Sequence, residues 1–272
     1  MKADLHIHTF YSKHACGTLE ECVLAAIKKD IKILTFTDHA PFVIDQQNRL
    51  SEYELETYLQ QINVLQKRYQ HQIKILSGLE VDCIPESIDF VAKILRNHNF
   101  DFYIGAVHFL FDKKERINIW DIEKLSNEKI IVQYFENVKY IVSTGLFDAI
   151  GHLESILRGG MCFDTFLKNI EQVIPCLRKY KIAVEMNTSL PYKEVFECQT
   201  LKKIILPSLF YRSQYLKLIA DNKIPITLGS DAHKPSDIGR DIAKIYSAVK
   251  SVNGTLVYFE KHSPKLLDIK NG

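Results

Sequence analysis

The sequence predicts an α/β barrel in which parallel strands alternate with helices around a closed or nearly closed sheet. Apolar runs rich in β-branched residues alternate with longer stretches of helical periodicity, a pattern typical of a parallel sheet with helical crossovers. The chain of 272 residues holds about seven or eight such units. Polar residues suited to catalysis follow at least six of the strands. An open doubly wound sheet usually binds its ligand at one switch point, whereas many strand ends converge only in a barrel.

The elements follow one another in a regular order. The predicted strands are Ala3–Ile7, Ile33–Thr37, Ile73–Val81, Phe102–Val107, Phe147–Gly151, Ala183–Asn187, Pro225–Gly229 and Thr255–Phe259. The predicted helices are Leu19–Lys29, Ser51–Tyr69, Ser87–Arg96, Glu128–Ser143, Phe163–Lys179, Arg212–Asn222 and Ser236–Val249. Thr18 and Ser51 precede acidic first turns and are therefore predicted N-caps. Two less regular stretches, Phe109–Asn127 and Ser189–Tyr211, are expected to overhang the site as loops.

Composition narrows the class of protein. No repeat, low-complexity tract or Pro/Gly/Ser-rich linker divides the chain, so we expect one domain over residues 1–272. The formal net charge of +2 gives no support for a nucleic-acid or membrane partner. The charged start, Met1 to His6, is no signal peptide, and no apolar run approaches the about 20 residues of a membrane span. Six cysteines without a Cys-x-x-Cys pair indicate reduced thiols in a cytoplasmic protein.

Seven of the ten histidines lie beside predicted strands. They are His6 and His8 in Asp4-Leu5-His6-Ile7-His8, His14 shortly after, His39 in Thr37-Asp38-His39, His108 in Gly105-Ala106-Val107-His108, His152 in Gly151-His152 and His233 in Gly229-Ser230-Asp231-Ala232-His233. With Glu80 and Asp231 they form a set of imidazole and carboxylate donors, which predicts a polynuclear metal site. The other three histidines, His71, His98 and His262, are interpreted as solvated surface residues.

Residue spacing supports the metal interpretation. Strand side chains alternate with period two, so His6 and His8 share a face and can chelate one metal ion. Asp4 lies on that face and could orient a histidine, while Asp231-x-His233 repeats the geometry on another strand.

The remaining donors are weaker signals when each is taken alone. Glu80 follows an apolar run and is expected to point inward, where a lone carboxylate is costly. It could pair with a lysine or arginine, or bridge two metal ions. His39, His108 and His152 could each be a capping or core histidine. His14, in the loop after the first strand, is the weakest of these candidates.

Together these motifs closely resemble the PHP superfamily (polymerase and histidinol phosphatase). The resemblance extends from Met1 to about Phe259 and rests on the motifs above, in the family's order, with Gly78-Leu79-Glu80 among them. Within the superfamily the chain looks most like the monofunctional histidinol-phosphate phosphatases. The phrases that carry this are Asp38-His39-Ala40-Pro41-Phe42, Gly78-Leu79-Glu80-Val81-Asp82, Val107-His108-Phe109-Leu110, Gly145-Leu146-Phe147-Asp148 and Glu185-Met186-Asn187-Thr188-Ser189.

The resemblance implies a distorted (β/α)7 TIM-like barrel with three metal ions at the C-terminal ends of the strands. The implied ligand sets are His6, His8, Glu80 and Asp231 for one ion, Glu80, His108 and His152 for the second, and His14, His39 and His233 for the third. Such mixed donors suit Zn²⁺, Mn²⁺ or Fe²⁺.

The implied reaction is hydrolysis of the small phosphomonoester L-histidinol phosphate to L-histidinol and phosphate, by water activated at the metal ions. Arg158 is expected to meet the phosphate. Asp231, or a water that it orients, is expected to protonate the leaving group. We expect His233 to be essential for turnover.

Two departures from the subgroup bear on the substrate. Glu154 stands where the subgroup usually has Asp. After Asn187-Thr188-Ser189 the usual Gly-Leu-Arg type sequence, whose arginine reaches the phosphate, is replaced by Leu190-Pro191-Tyr192-Lys193. Lys193, Arg212 or Arg158 could substitute for that arginine. Two alternatives therefore stay open: a phosphoesterase acting on nucleotides or another phosphometabolite, and a non-catalytic metal-binding module.

Overall fold

The computed structural model describes residues 2–112, 115–119, 121, 127–190 and 209–267, with only the backbone at 112 and 209–213. Its strands are β1 (Ala3–Ile7), β2 (Ile33–Phe36), β3 (Lys74–Asp82), β4 (Phe102–Ala106), β5 (Phe109–Asp112), β6 (Glu115–Asn118), β7 (Ala149–Ile150), β8 (Ala183–Asn187), β9 (Ile226–Gly229), β10 (Val257–Glu260) and β11 (Ser263–Leu266). Its helices are α1 (Leu19–Lys28), α2 (Leu55–Tyr69), α3 (Ile88–Arg96), α4 (Glu128–Ser143), α5 (Phe163–Tyr180), α6 (Leu209–Asp221) and α7 (Ile242–Ser251).

Seven parallel strands form a nearly closed barrel, which confirms the predicted fold class. The sheet order is β1-β2-β3-β4-β7-β8-β9, and each successive pair is parallel. The chain after β9 returns to β1, where the His8 amide donates to the Ala232 carbonyl at 2.8 Å and the Asp231 amide donates to the His6 carbonyl at 2.8 Å. These bonds bring the first and last strands of the sheet together.

Helices surround the barrel and bury their apolar faces against it. α1 begins with the predicted cap, since the Glu21 amide donates to Thr18 Oγ1 at 3.2 Å and the Thr18 amide donates to Glu21 Oε2 at 2.7 Å. The core between the layers holds fully buried aromatic rings, among them Tyr58, Tyr134 and Phe166. Each such ring stabilises the fold by about 1.5–3 kcal/mol through removal of apolar surface from water. None of the helices in the described part of the chain is long and apolar enough to cross a membrane.

The predicted eighth strand, Thr255–Phe259, is not a barrel strand. β10 pairs antiparallel with β11, and only Leu256 makes a bridge to the barrel, at Ile226. The connecting residues Lys261 and His262 both have positive φ, 50° and 59°, as a two-residue hairpin turn of type I′ requires. The usual Asn-Gly signature of such a turn is missing, so the sequence gives no sign of it.

Other element boundaries also differ from the prediction. The irregular stretch after β4 contains the hairpin β5–β6, and β7 is shorter than the predicted Phe147–Gly151. The helix predicted to start at Ser236 starts at Ile242, because a 3₁₀ turn over Pro235–Asp237 comes first. Most of the stretch Ser189–Tyr211 lies outside the described residues.

Candidate metal centre

All nine predicted metal ligands lie together at the C-terminal end of the barrel. Each stands at or just beyond the end of a barrel strand, except His14, which lies in the loop after β1. Three groups have ligand atoms within 4.8 Å of one another: His6, His8 and Asp231; His39, Glu80 and His108; and His8, His39 and His233. His14 joins them through its Nε2, which is 3.0 Å from Nε2 of His233. The fold therefore brings these donors together at one end, as expected for a barrel.

Glu80 lies at the middle of the cluster. Its Oε1 is 2.7 Å from Nε2 of His152 and 3.4 Å from Nε2 of His108. Its Oε2 is 3.0 Å from Nδ1 of His39, 3.4 Å from Nε2 of His8 and 3.5 Å from Nε2 of His6. The two oxygens thus face different histidines, as a carboxylate that bridges two cations would. No lysine or arginine among the described residues pairs with Glu80, so the salt-bridge alternative finds no support.

Hydrogen bonds to residues outside the cluster determine which ring nitrogen of His6, His8 and His108 faces the cluster. Nδ1 of His6 is 2.7 Å from Glu185 Oε1, and Nδ1 of His108 is 3.1 Å from both oxygens of Asp82. A carboxylate only accepts hydrogen bonds, so each Nδ1 carries a hydrogen and each Nε2 faces the cluster, where the neutral form of the ring presents a lone pair. Nδ1 of His8 is 3.0 Å from Ser12 Oγ, which donates to Asp38 at 2.7 Å.

This arrangement brings ring nitrogens and carboxylate oxygens into close contact. With the hydrogen on Nδ1, the neutral forms of His6 and His8 point the lone pairs of their Nε2 atoms at each other across only 3.1 Å. Nε2 of His8 also lies 3.3 Å from Asp231 Oδ1. Facing lone pairs and carboxylates repel unless protons or cations lie between them. The residues therefore fit a bound divalent cation, and the imidazole–carboxylate set is that of Zn²⁺, Mn²⁺ or Fe²⁺ sites.

Burial and neighbouring charges shift the pKa values in this cluster. Burial, reinforced by His233 and His39, lowers the pKa of His8 well below its usual value. Burial also lowers the pKa of His39, to about 4. Both shifts favour the neutral ring that a metal ligand needs. Burial by itself would lower the pKa of His6 and His108, but the neighbouring carboxylates outweigh it and raise both pKa values, so a cation bound there would replace a proton. Burial alone would raise the pKa of Glu80, but the imidazoles of His108, His6 and His39 outweigh it and hold that pKa well below the usual range.

The three groups of donors that lie within 4.8 Å of one another do not coincide with the ligand sets that the family resemblance implies. His6, His8 and Asp231 lie together as the first set requires. His39, however, lies within reach of both Glu80 and His108 as well as His233, although the implied sets place it with His14 and His233. The assignment of each donor to an individual ion stays a prediction.

The backbone at the site is unusually close-packed and strained. A Cβ added to Gly229 would lie 2.1 Å from Glu185 Oε1 and 2.4 Å from the Cβ of His6, so only glycine fits here. His152 and Asp231 have positive φ values of 26° and 50°. Strain of this kind costs about 1–3 kcal/mol per residue and persists where the surroundings fix it, as at functional sites.

Glu185 is a functional residue that the sequence analysis did not single out. It accepts a hydrogen bond from His6 Nδ1 and, through Oε2, another from the His152 amide at 2.8 Å. Asp4, the predicted partner of a histidine, instead accepts from the amides of Ser230 and Gly239 at 2.8 and 2.7 Å. The sequence feature that could have identified Glu185 is its position as a carboxylate inside the apolar strand Ala183–Asn187.

A cavity of about 570 Å³ opens beside the cluster. Five of the histidines, Glu80 and Asp231 form part of its wall, and Arg158, the predicted phosphate-binding residue, also lines it. Arg49 and Arg240, which the sequence analysis missed, line it as well. Arg49 is buried and donates from Nη2 to Asp82 Oδ2 at 2.7 Å. The candidate Lys193 and the side chain of Arg212 lie outside the described residues. The cavity is large enough for a small metabolite.

Comparison with known proteins places the chain in a family. A "Probable histidinol-phosphatase" of Deinococcus radiodurans is 29% identical over 94% of this chain and 95% of its own. A histidinol-phosphatase of Bacillus subtilis is 28% identical over 88% of this chain and 96% of its own. The fold matches histidinol phosphate phosphatase of Lactococcus lactis, solved with zinc, L-histidinol and phosphate, at a TM-score of 0.81 and 22% identity over 97% of this chain and 98% of that one. The PHP domain model matches residues 4–189, more than half of the chain, and the protein therefore belongs to the PHP domain family.

Proposed function

We propose that this protein is a metal-dependent phosphomonoesterase that hydrolyses L-histidinol phosphate to L-histidinol and phosphate. The observation that carries the proposal is the set of imidazole nitrogens and carboxylates that face one another around Glu80, with Nε2 of His6 and Nε2 of His8 only 3.1 Å apart. Three divalent cations held by the nine donors would make this cluster stable. When bound, such cations lower the pKa of water and neutralise the charge of a phosphoryl group.

The cationic side chains of the cavity wall suit a phosphate. Arg158 is buried at the cavity beside the metal ligands, and Arg240 comes from the loop after β9. Thr188 Oγ1 donates to the Arg240 carbonyl at 2.7 Å. That bond ties Arg240 to the segment after β8, from which the family's usual phosphate-binding arginine is missing. We infer that Arg158 and Arg240 bind the non-bridging phosphate oxygens and stabilise the charge that develops on them.

The leaving alkoxide needs a proton, and Asp231 is our candidate to supply or direct it. Its Oδ2 accepts from Ser189 Oγ at 2.9 Å, while its Oδ1 lies 3.3 Å from His8 Nε2 and 3.5 Å from His233 Nδ1. These contacts hold the carboxylate at the cavity wall, beside the metal ligands, where the ester oxygen would lie. His233 is half-buried at the same wall.

The choice of L-histidinol phosphate rests on the relatives. The Deinococcus and Bacillus proteins are both named histidinol-phosphatases, and each aligns with the chain over most of its length. This substrate would give the protein a role in histidine biosynthesis. We also propose a cytoplasmic location, consistent with the free thiols of Cys16, Cys22, Cys83, Cys162 and Cys176.

The Asp231→Asn variant tests the proposal. We expect phosphate release from L-histidinol phosphate to fall by more than about 100-fold, because Asp231 is both a predicted metal ligand and the group expected to orient the water that protonates the leaving alkoxide. Asp221→Asn, on an exposed position of α6, is the control and should retain the wild-type rate. Removal of metal by a chelator should abolish the reaction, and added divalent metal should restore it. Full activity of Asp231→Asn, or of the metal-free protein, would contradict the proposal.

A further inference from the structure

The cavity wall carries one carboxylate that the proposed chemistry does not use. Outside the metal cluster, the aspartates that line the cavity are Asp45 and Asp237. Asp237 forms an ion pair with Arg240, whose Nη1 lies 3.3 Å from Asp237 Oδ2. Asp45 makes no ion pair with any residue in the described ranges. It is therefore a negative charge in the wall of a cavity that must also admit a phosphate.

The carboxylate of Asp45 is held in a fixed orientation. Its Oδ1 accepts hydrogen bonds from Gln47 Nε2 at 2.5 Å and from Asn48 Nδ2 at 2.9 Å. Its Oδ2 accepts no hydrogen bond from the part of the chain that the structure describes. The side chain is half-buried, so the two amide contacts orient the group while the second oxygen is left for a ligand.

An unpaired carboxylate in this position would repel the phosphate group itself. Arg158 and Arg240 line the same cavity as Glu80, and together with the cations that the cluster would hold they would attract the phosphate. A carboxylate elsewhere in the same cavity favours a substrate that carries a positive charge away from its phosphate. A neutral or anionic alcohol portion would leave Oδ2 of Asp45 desolvated and without a hydrogen-bond donor, which is unfavourable.

We propose that Asp45 determines specificity by binding a protonated amine of the substrate through its Oδ2. The substrate class is then a phosphomonoester of an amino alcohol, a class to which L-histidinol phosphate belongs. This inference rests on the proposed phosphatase function and adds to it the group by which the alcohol portion is recognised. Nucleotides lack such an aliphatic ammonium and are disfavoured by the same charge.

The test compares two substrates in wild type and in Asp45→Asn. One is L-histidinol phosphate, and the other is its analogue with hydrogen in place of the amino group. We expect the wild type to prefer the amine-containing substrate and Asp45→Asn to reduce that preference, as a ratio of kcat/KM, by about 10-fold, the effect of one charge-assisted hydrogen bond. The change should lie mainly in KM. Asp89→Asn, on the exposed surface of α3, should leave the ratio unchanged.

The controls separate this inference from the proposed function. Metal content and melting temperature are measured for each variant, and Asp45→Ala is included as a second substitution. If Asp45→Asn and Asp45→Ala slow both substrates equally, or neither, the specificity role is wrong although the phosphatase function stands. If the wild type hydrolyses neither substrate when loaded with metal, the proposed function itself fails.

Discussion

Glu185 connects two histidines of the metal centre, although it belongs to no ligand set. Its Oε1 accepts from His6 Nδ1 at 2.7 Å and its Oε2 accepts from the His152 amide at 2.8 Å. It is 1% exposed, so water does not replace these contacts. Outer partners of this kind fix the ring orientation and raise the basicity of a metal-bound imidazole.

Glu185→Gln should therefore weaken metal binding without removing a ligand. We expect an affinity loss of about 10–100-fold, because the amide is a poorer partner for His6 than the carboxylate. Competition with a chromophoric chelator measures this directly. Glu171→Gln, exposed on α5, serves as the matched control. Equal affinity in the Glu185 variant and the wild type would show that this carboxylate does not support the site.

Arg158 is expected to act on the substrate and not on the metal ions. Arg158→Met should raise KM for the phosphomonoester by about 10-fold or more, since a charge-assisted hydrogen bond to phosphate contributes about 1.5–3 kcal/mol. Metal content should stay at the wild-type level. Steady-state kinetics combined with metal analysis checks both expectations, and a loss of bound metal with unchanged KM would place Arg158 in a structural role.

At the scale of single residues, the strand-end pattern was enough to predict which donors lie close together but not which residues contact them from outside the cluster. His6 and His8 share a face because strand side chains alternate with period two, and this spacing can be read directly from the sequence. Glu185, Arg49 and Arg240 reach the site only after distant parts of the chain have folded together. Their contacts depend on separations of up to 179 residues, as between His6 and Glu185. No local pattern encodes such pairs.

Among the elements, the junction between β1 and β9 determines whether the barrel closes around the site. Gly229 at the end of β9 lies against His6 on β1 and against Glu185 on β8, and an added Cβ would overlap both. The close approach allows the amide and carbonyl bonds between His6, His8 and the segment after β9 to form. We therefore expect barrel closure and metal binding to be coupled at this junction.

Gly229→Ala should damage stability and metal binding together. Overpacking of this kind lowers the free energy of unfolding by about 1–3 kcal/mol. Displacement of His6 should also lower the affinity for the metal ion. Urea denaturation and chelator competition measure the two effects. Gly145→Ala is the comparison, because its Cβ would meet nothing within 4 Å although φ is 67°. It should lose about 1 kcal/mol from backbone strain and keep its metal, and a loss of metal there would argue against the coupling.

The hairpin β10–β11 is attached to the barrel by a titratable contact. His262 Nδ1 lies 2.9 Å from Asp148 Oδ2, and this hydrogen bond raises the pKa of His262 despite partial burial. His262 is exposed, as predicted for a surface residue, and the contact with Asp148 adds to that interpretation. The turn that positions it has two positive φ angles, at Lys261 and His262, and such angles are uncommon for residues other than glycine.

The raised pKa sets the sign of a pH effect on stability. Protonated His262 is stabilised in the folded state, so its contribution is fully present below the unfolded pKa of about 6.5. It is lost as the pH rises through the higher folded value. His262→Gln should therefore destabilise the protein more at about pH 6 than at about pH 9, by less than about 1 kcal/mol because the side chain is 41% exposed. His71→Gln, at an exposed position, is the control, and a pH-independent difference for His262→Gln would contradict the assignment.

For the molecule as a whole, the barrel explains why donors far apart in sequence meet. The carboxyl ends of all seven strands open on one face, and the ligands come from the ends of β1, β2, β3, β4, β7 and β9. Repeated strand–helix alternation was sufficient to predict this architecture. It was not sufficient to predict where the barrel ends, because β10 is apolar like a barrel strand but continues into a hairpin whose pairing depends on the turn.

The most direct test of the central claim is phosphate release by the metal-loaded protein. L-histidinol phosphate is compared with nucleoside monophosphates under the same conditions, and the metal-free protein is the blank. We predict metal-dependent release of phosphate with kcat/KM for L-histidinol phosphate higher than for the nucleotides by at least about 100-fold, since a polar site discriminates strongly against substrates that leave its groups unpaired. Absence of release from the fully metal-loaded protein, or a preference for nucleotides, would contradict the account.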